Sequence, residues 1–398
     1  MEIVEDIVIA GAGLAGLTTA LGLHRLGVRS LVLEASNRLR TTGFAFLSWN
    51  NAWKALDAVG VGETLRQQHK QFQSFGGYSL VSGKINSELL FKEHEVRCLK
   101  RQLLVEALEK ELPSGTIRYS SKVVSIEESG HFKLVHLADG TIIKTKVLIG
   151  CDGVNSVVAK WLGFDPPVFT GRSAIRAYAD IKGGHGLGPK ISMFFGNDIR
   201  TGYLPCDDQT VYWFLAYNAS SNQDKELEEN PAKLKQFALS KIGNLPDKLK
   251  YVVEGTQLDS IITSPLRYRR PWDLLWGNIS KGNVCVAGDA LHPMTPDIGQ
   301  GGCAALEDGV VLSRCLAEAL SKSGEEEWKR IEMGLEKYSR ERRWRSIELI
   351  STAYASGAIQ NRGSGKIMNF LRDKFLNKFF LGLMLGRANF DCGKLSVS

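Results

Sequence analysis

Between Gly282 and Asp308 the chain reads GNVCVAGDALHPMTPDIGQGGCAALED. One carboxylate, Asp289, follows four apolar positions, Val284 to Ala287, whose run suits a short buried strand. Asp289 therefore stands at the strand's mouth, as an acceptor for the hydroxyls of a sugar or polyol. Pro293 and Pro296 stiffen the loop beyond it. Gly299, Gly301 and Gly302 come next, just ahead of an apolar helix pattern at Ala304, Ala305, Leu306 and Val310 to Leu312. Glycines at a helix N-terminus let a ligand approach the backbone N–H groups, where the helix dipole favours partial negative charge. Plain packing of strand, turn and helix would give the same pattern, so the stretch needs a counterpart elsewhere.

The counterpart lies at the start of the chain. Residues 6–10 (DIVIA) suit a strand, and Gly11-Ala12-Gly13-Leu14-Ala15-Gly16 follows at once. Leu14, Leu17, Thr18 and Leu21 then recur at helical spacing, and a second strand, residues 30–34 (SLVLE), ends on Glu34. This is a βαβ unit with G-x-G-x-x-G at its first turn. Gly11 allows the tight turn, Gly13 lets backbone approach a pyrophosphate, and Gly16 lets helix and strand pack closely. Glu34 stands near the place where a carboxylate meets an adenosine ribose. The unit predicts a dinucleotide site and does not separate a flavin from a nicotinamide nucleotide. The distant Asp289 stretch favours the flavin nucleotide, one long ligand held from both ends of the chain.

At 398 residues the chain is long enough for two domains. Its 43% hydrophobic and 23% charged content is that of an ordinary globular protein. Lys and Arg exceed Asp and Glu by 7, but they are scattered. The one dense run, Arg340-Glu341-Arg342-Arg343-Trp344-Arg345, reads as a solvated helix face, and nucleic-acid binding is not expected. None of the seven cysteines forms a C-x-x-C pair, and Cys151, Cys285 and Cys303 lie among apolar or glycine residues. That argues for reduced thiols, against a disulfide framework and against a zinc site; no metal is expected. The first strand begins within a few residues of Met1, so no targeting peptide and a cytoplasmic location are expected. No apolar run reaches the roughly 18 residues of a membrane span. The run Phe379 to Leu385 reads as a buried terminal helix, with weak attachment to a membrane surface as its alternative.

Gly288-Asp289-Ala290-Leu291-His292-Pro293 with Gly299-Gln300-Gly301-Gly302 resembles the "GD" motif of class A FAD-dependent monooxygenases. The wording Gly299-Gln300-Gly301-Gly302-Cys303 is most similar to plant zeaxanthin-epoxidase-like and salicylate-hydroxylase-like members of this aromatic-hydroxylase family. The resemblance implies an α/β fold: a Rossmann-like (GR2-type) FAD-binding domain, an inserted β-sheet substrate domain and C-terminal helices. On that frame residues 1–75, 97–170 and 270–320 form the FAD-binding domain. Residues 76–96 and 171–269 form the substrate sheet, and 321–398 the helical end. It also implies that Asp289 holds the ribityl chain, and that Gly299, Gly301, Gly302 and Cys303 border the flavin ring. Gly11, Gly13, Ala15, Gly16 and Glu34 would serve the adenosine half.

Other stretches extend the match. Residues 100–112 suit an amphipathic helix whose first turn carries Arg101, unfavourable for the dipole and hence suggestive of an anionic neighbour. A solvent-facing arginine is the alternative. The family has R-x-x-L here, matched by Arg101 and Leu104, in contact with the flavin. Residues 116–150 read as a β-meander turning at Asp139-Gly140. It runs into Cys151-Asp152-Gly153, which resembles the family's "DG" motif, linked to FAD and to a transiently bound NAD(P)H. The usual Ser-x-x-Arg is broken: Ala159 takes the arginine's place and Lys160 stands one beyond. Glycine-led residues 41–60, starting at Gly43, resemble a loop near the flavin ring, and Ser82-Gly83 reads as a hairpin turn.

Residues 172–218 are strand-rich (RSAIRAYADI, KISMFF, TVYWFLAY). Trp213, Leu215 and Tyr217 share one face and Tyr212 and Phe214 the other; the pattern does not tell which faces a ligand. The sheet is expected to form the far wall of a substrate pocket, with Tyr203 and Trp213 on it and Pro296 opposite. Residues 221–249 read as charged, peripheral helix.

No nucleophile–base set, zinc spacing or carboxylate pair stands out, and no catalytic side chain can be named. A flavin enzyme tolerates that, because the cofactor carries the difficult chemistry. The resemblance implies FAD as cofactor and NADPH or NADH as co-substrate. In the implied cycle reduced flavin takes up O2 as a hydroperoxide and passes one oxygen atom to a small aromatic or conjugated substrate. Two alternatives stay open on the same fold: a flavin oxidase or dehydrogenase that inserts no oxygen, and a non-catalytic redox-sensing flavoprotein.

Overall fold

Strand β1 (Ile3–Ala10) ends in four consecutive buried residues, Ile7 to Ala10, because it is covered on both faces. The structure, a computed structural model, describes residues 3–39, 45–80, 85–196, 199–219, 227, 230–242, 247–321, 326–361 and 377–396. The glycine at 43 and the turn at Ser82-Gly83 lie outside the described residues.

β1 sits in the middle of the first sheet. On one side it pairs parallel with β2 (Leu31–Leu33), which pairs parallel with β7 (Ile117–Arg118). On the other it pairs parallel with β10 (Ile142–Gly150), which pairs parallel with β17 (Val284–Val286). β16 (Ser280–Lys281) closes one edge. β8 (Val123–Ser129) and β9 (Phe132–Leu137) extend β10 as an antiparallel meander that turns at Gly140, where φ is +85°. Against this sheet lie helix Leu14–Arg25 and helix Gly301–Ser321, packed on each other. Their approach needs small residues: a Cβ on Gly309 would overlap Thr18, and one on Gly22 would overlap Ser313.

The second sheet has seven strands in the order β15, β11, β14, β13, β12, β4, β5. These are β15 (Thr256–Tyr268), β11 (Val168–Asp180), β14 (Thr210–Asn218), β13 (Ile199–Pro205), β12 (Lys190–Gly196), β4 (Ser74–Ser79) and β5 (Ile85–Leu90). One face is sealed by helices Pro231–Ile242 and Asp247–Glu254 through Leu234, Ala238, Ile242, Leu249 and Val252. These two helices are therefore part of a core, not the peripheral segment that the charge of 221–249 suggests. The other face looks back at the first sheet. A two-stranded ribbon, β3 (Ala45–Ser48) with β6 (Arg97–Lys100), lies between them and leads straight into helix Arg101–Lys110.

A helix of 35 residues, Glu327–Asn361, runs past both sheets. The Tyr338 hydroxyl donates to the Val286 carbonyl at 3.0 Å. Arg342 and Arg345 are buried, with relative exposures of 0% and 7%, which corrects the reading of 340–345 as a solvated face. Their partners explain it: Glu307 and Asp308, also at 0%, would otherwise be uncompensated charges in an apolar helix.

Candidate active site

Three neighbouring strands stop at one edge: Ala10 pairs with Gly150, and Gly150 with Val286. The residues that follow are stitched across it. Gly11 N–H donates to Leu33 O at 2.7 Å, Cys151 N–H to Ala10 O at 2.7 Å, and Ala287 N–H to Gly150 O at 2.9 Å. Ligands of open α/β sheets sit outside such carboxyl ends.

The glycines there divide by role. Gly11 has φ +102°, and a Cβ on it would overlap the Cys151 carbonyl. A Cβ on Gly16 would overlap the Gly11 carbonyl, so this residue sets how closely helix and strand pack. A Cβ on Gly13 would meet nothing within 4 Å; its open side faces a cavity.

That cavity, about 610 Å³, lies between the two sheets. Gly13, Ala15, Arg101 and Asp289 contribute to one side. The turn Pro296, Gly299, Gly301 and Gly302 lines its middle, with Gly299 left-handed at φ +61° and Gly301 opening the 21-residue helix. The far wall is the second sheet, through Met193, Phe195, Arg176, Arg200, Tyr212 and Phe214. Across from this wall, the Asp289 side chain is exposed at the cavity.

Strand parity decides which residues face the cavity. Tyr203 and Trp213 do not: they lie in the opposite core, where Trp213 Nε1–H donates to Thr256 Oγ1 at 2.7 Å. This corrects their placement in the substrate pocket. Their neighbours Leu204, Tyr212 and Phe214 face the cavity instead, because successive strand residues point to opposite faces. Cys303 also turns away: fully buried, its thiol donates to Leu47 O at 3.5 Å, and burial pushes it up to about 12.

Two carboxylates are occupied by backbone. Glu34 accepts from Ala12 N–H at 3.0 Å and Ser36 N–H at 2.9 Å, bracing the glycine turn. Asp152 accepts from the Ser156 hydroxyl at 2.5 Å and Val157 N–H at 2.7 Å, which caps helix Val157–Trp161 and fixes the Gly153-Val154 corner on the cavity.

Two buried charge clusters add residues that the sequence reading missed. Asp297, beside the glycine turn, accepts from Arg172 at 2.7 Å and from Arg200 at 2.8 Å. Burial pushes its carboxyl up, but Arg200 and Arg172 outweigh this and hold it below the usual range. Arg200 also lies over the Phe195 and Phe214 rings, with its guanidinium carbon 5.4 and 6.0 Å from their centroids. Gly357 of the long helix lies so close that a Cβ would overlap Arg172 and Asp297. The second cluster lies under the Asp289 turn. Asp308 accepts from Gly288 N–H at 2.7 Å, His292 Nε2–H at 2.7 Å and Arg342 Nε–H at 2.6 Å. The signals were present: Arg172, Arg176 and Arg200 interrupt apolar strands, and Glu307-Asp308 interrupts an apolar helix.

A family model described as an FAD binding domain matches residues 5–353. The chain belongs to the class A FAD-dependent monooxygenases. "Monooxygenase 2" of Arabidopsis thaliana is 54% identical over 402 residues, spanning 98% of each chain. "Monooxygenase 1" of the same plant is 37% identical, spanning 98% of this chain and 99% of that one. Among solved structures, Klebsiella pneumoniae HpxO complexed with FAD and uric acid shares the fold at TM-score 0.82 and 22% identity, over 98% of both chains. The site fits the cofactor of this flavoprotein family. An open glycine turn, an exposed carboxylate and a long helix's N-terminus border one continuous cavity, as an extended, partly anionic dinucleotide requires. Among the described residues no helix is long and apolar enough to cross a membrane.

Proposed function

We propose that this flavoprotein uses NAD(P)H and O2 to hydroxylate or epoxidise a small, flat, conjugated substrate that carries negative charge. One observation carries the reading: the far wall presents two guanidiniums, Arg176 and Arg200, among Phe195, Tyr212 and Phe214. Behind that wall Arg172 joins Arg200, and these two cations share the single Asp297 carboxylate. An anion would lower the cost of keeping them buried. Uric acid, present in the HpxO structure, is a flat heterocycle of this general kind.

In this reading Asp289 accepts a hydroxyl of the ribityl chain. Arg101 and the first N–H groups of helix Gly301–Ser321 hold the anionic and carbonyl parts of the cofactor. Bound there, FAD would supply electron transfer from the nicotinamide and activation of O2. Arg200 orients the substrate's negative end, and the Phe195, Phe214 and Met193 side chains exclude water from the reacting face. Asp297 keeps Arg200 in place and charged.

The test is a screen of aromatic acids, phenolates and neutral analogues for stimulation of NADPH or NADH oxidation, followed by product analysis under 18O2. Stimulation confined to anions, with one labelled oxygen in the product, is the expected result. Product without label would make the protein an oxidase or dehydrogenase. Stimulation by neutral compounds alone would remove the role given to Arg200.

A further inference from the structure

Cys98 and Cys206 are 108 residues apart in the chain, yet their sulfurs lie 3.3 Å apart. Of the seven free cysteines this is the one pair within hydrogen-bond reach among the described residues. The two belong to different halves of the molecule. Cys98 lies in β6, opposite Leu47 of β3, which lines the cavity. Cys206 begins the turn between β13 and β14 of the substrate sheet, where its N–H donates to Thr210 O at 2.8 Å.

We propose that Cys98 and Cys206 are a modification site: a dithiol that a small hydroperoxide converts reversibly to a disulfide across this joint. The joint is already fixed on both sides. Lys100 Nζ pairs with Asp207 at 2.5 Å and donates to Thr210 Oγ1 at 3.0 Å. The sulfurs therefore need to close by only about 1.2 Å to reach bonding distance. Tyr212 lines the cavity. Burial pushes its phenol up, Arg176 pulls it down, and both thiols add to the upward push. Exposures of 1% and 2% exclude a bulky oxidant.

The chemistry balances with hydrogen peroxide as the named oxidant. One thiol, as thiolate, attacks a peroxide oxygen. The O–O bond breaks, and the departing hydroxide leaves as water with the thiol's proton. The second sulfur attacks the sulfenic acid so formed, the S–O bond breaks, a second water leaves and the S–S bond closes. Two electrons pass from the sulfur pair to the peroxide. Burial raises the Cys98 thiol well above its ordinary value, so the reaction is faster at pH 8.5 than at pH 7. The proposal does not depend on which substrate the cavity takes.

The test exposes the FAD-loaded protein to hydrogen peroxide, quenches with acid, and counts thiols after denaturation. The seven thiols of the chain should fall by two, with the Cys98 and Cys206 peptides found cross-linked and both thiols recovered by dithiothreitol. Cys98→Ser and Cys206→Ala should each abolish the dithiothreitol-reversible loss; should one fail to fold, the other suffices. Retention of all thiols would overturn the proposal. So would oxidation confined to other cysteines, or loss at these two that dithiothreitol does not reverse.

Discussion

The Asp308 carboxylate accepts the Gly288 N–H at 2.7 Å and thereby grips, from the protein interior, the turn that presents Asp289 to the cavity. The same carboxylate takes His292 and Arg342, so the turn is tied to the long C-terminal helix through one acid. Asp308→Asn leaves Arg342 short of a buried counter-charge. It should cost about 3–5 kcal/mol, the usual result of breaking a buried pair. Thermal unfolding with and without added FAD checks this: the melting temperature should drop in both, and FAD should stabilise less than in the parent.

The acid response follows from the same residue. Burial pushes the Asp308 carboxyl up, but His292 and Arg342 hold it at about 2, against an ordinary 3.8. The unfolded chain therefore binds the proton first, and stability falls with pH through this window. Asp308 should contribute about 2 kcal/mol above pH 5, lost progressively between roughly pH 4 and 2. Glu307 and Asp297, also held low by buried arginines, add to the same trend. Denaturant titrations from pH 3 to 7 should show this slope, reduced in Asp308→Asn.

Asp289→Ala should separate binding from folding. Its side chain is exposed at the cavity, so the apoprotein should melt within about 0.5 kcal/mol of the parent. FAD affinity should fall roughly tenfold to a hundredfold, the equivalent of one hydrogen bond to a charged group. Flavin fluorescence titration reads it directly, and unchanged affinity would remove Asp289 from the cofactor site.

Gly16→Ala and Gly13→Ala make a matched pair. The first drives a Cβ into the Gly11 carbonyl and should destabilise the apoprotein by several kcal/mol or abolish soluble expression. The second meets no protein atom within 4 Å, so the apoprotein should stay folded while FAD retention weakens. Melting curves and the flavin content of purified protein distinguish the two.

Gly357→Ala should act at the substrate side. The added methyl overlaps Arg172 and Asp297, so Arg200 loses its fixed partner. The Michaelis constant for an anionic substrate should rise several-fold while FAD content stays full, measured by NADPH oxidation against substrate concentration.

How far the sequence carried depends on the range of each interaction. Gly11 to Gly16 and Asp289 were legible because their chemistry is local: a turn, a strand end and a helix start lie within a few residues. Tyr203 and Trp213 were misplaced because alternation separates two faces without saying which meets the cavity. The deciding facts, helices Pro231–Ile242 and Asp247–Glu254 on one side and the glycine turn on the other, are tertiary. Arg172 and Arg200 meet Asp297 across 125 and 97 residues, and no spacing rule reaches that far. Arg342 and Arg345 looked solvated because their own neighbours are polar; their burial is explained only by the acids of another helix.

The helix Glu327–Asn361 holds Arg342 beneath the Asp289 turn and Gly357 against Asp297 on a single rod, roughly 22 Å apart at helical rise. Grafting the second sheet of a relative onto this scaffold would therefore leave that rod matched to the wrong wall. A working chimera has to bring residues 342 to 357 along with the sheet, or rebuild Arg172, Arg200 and Asp297 to suit the helix it keeps.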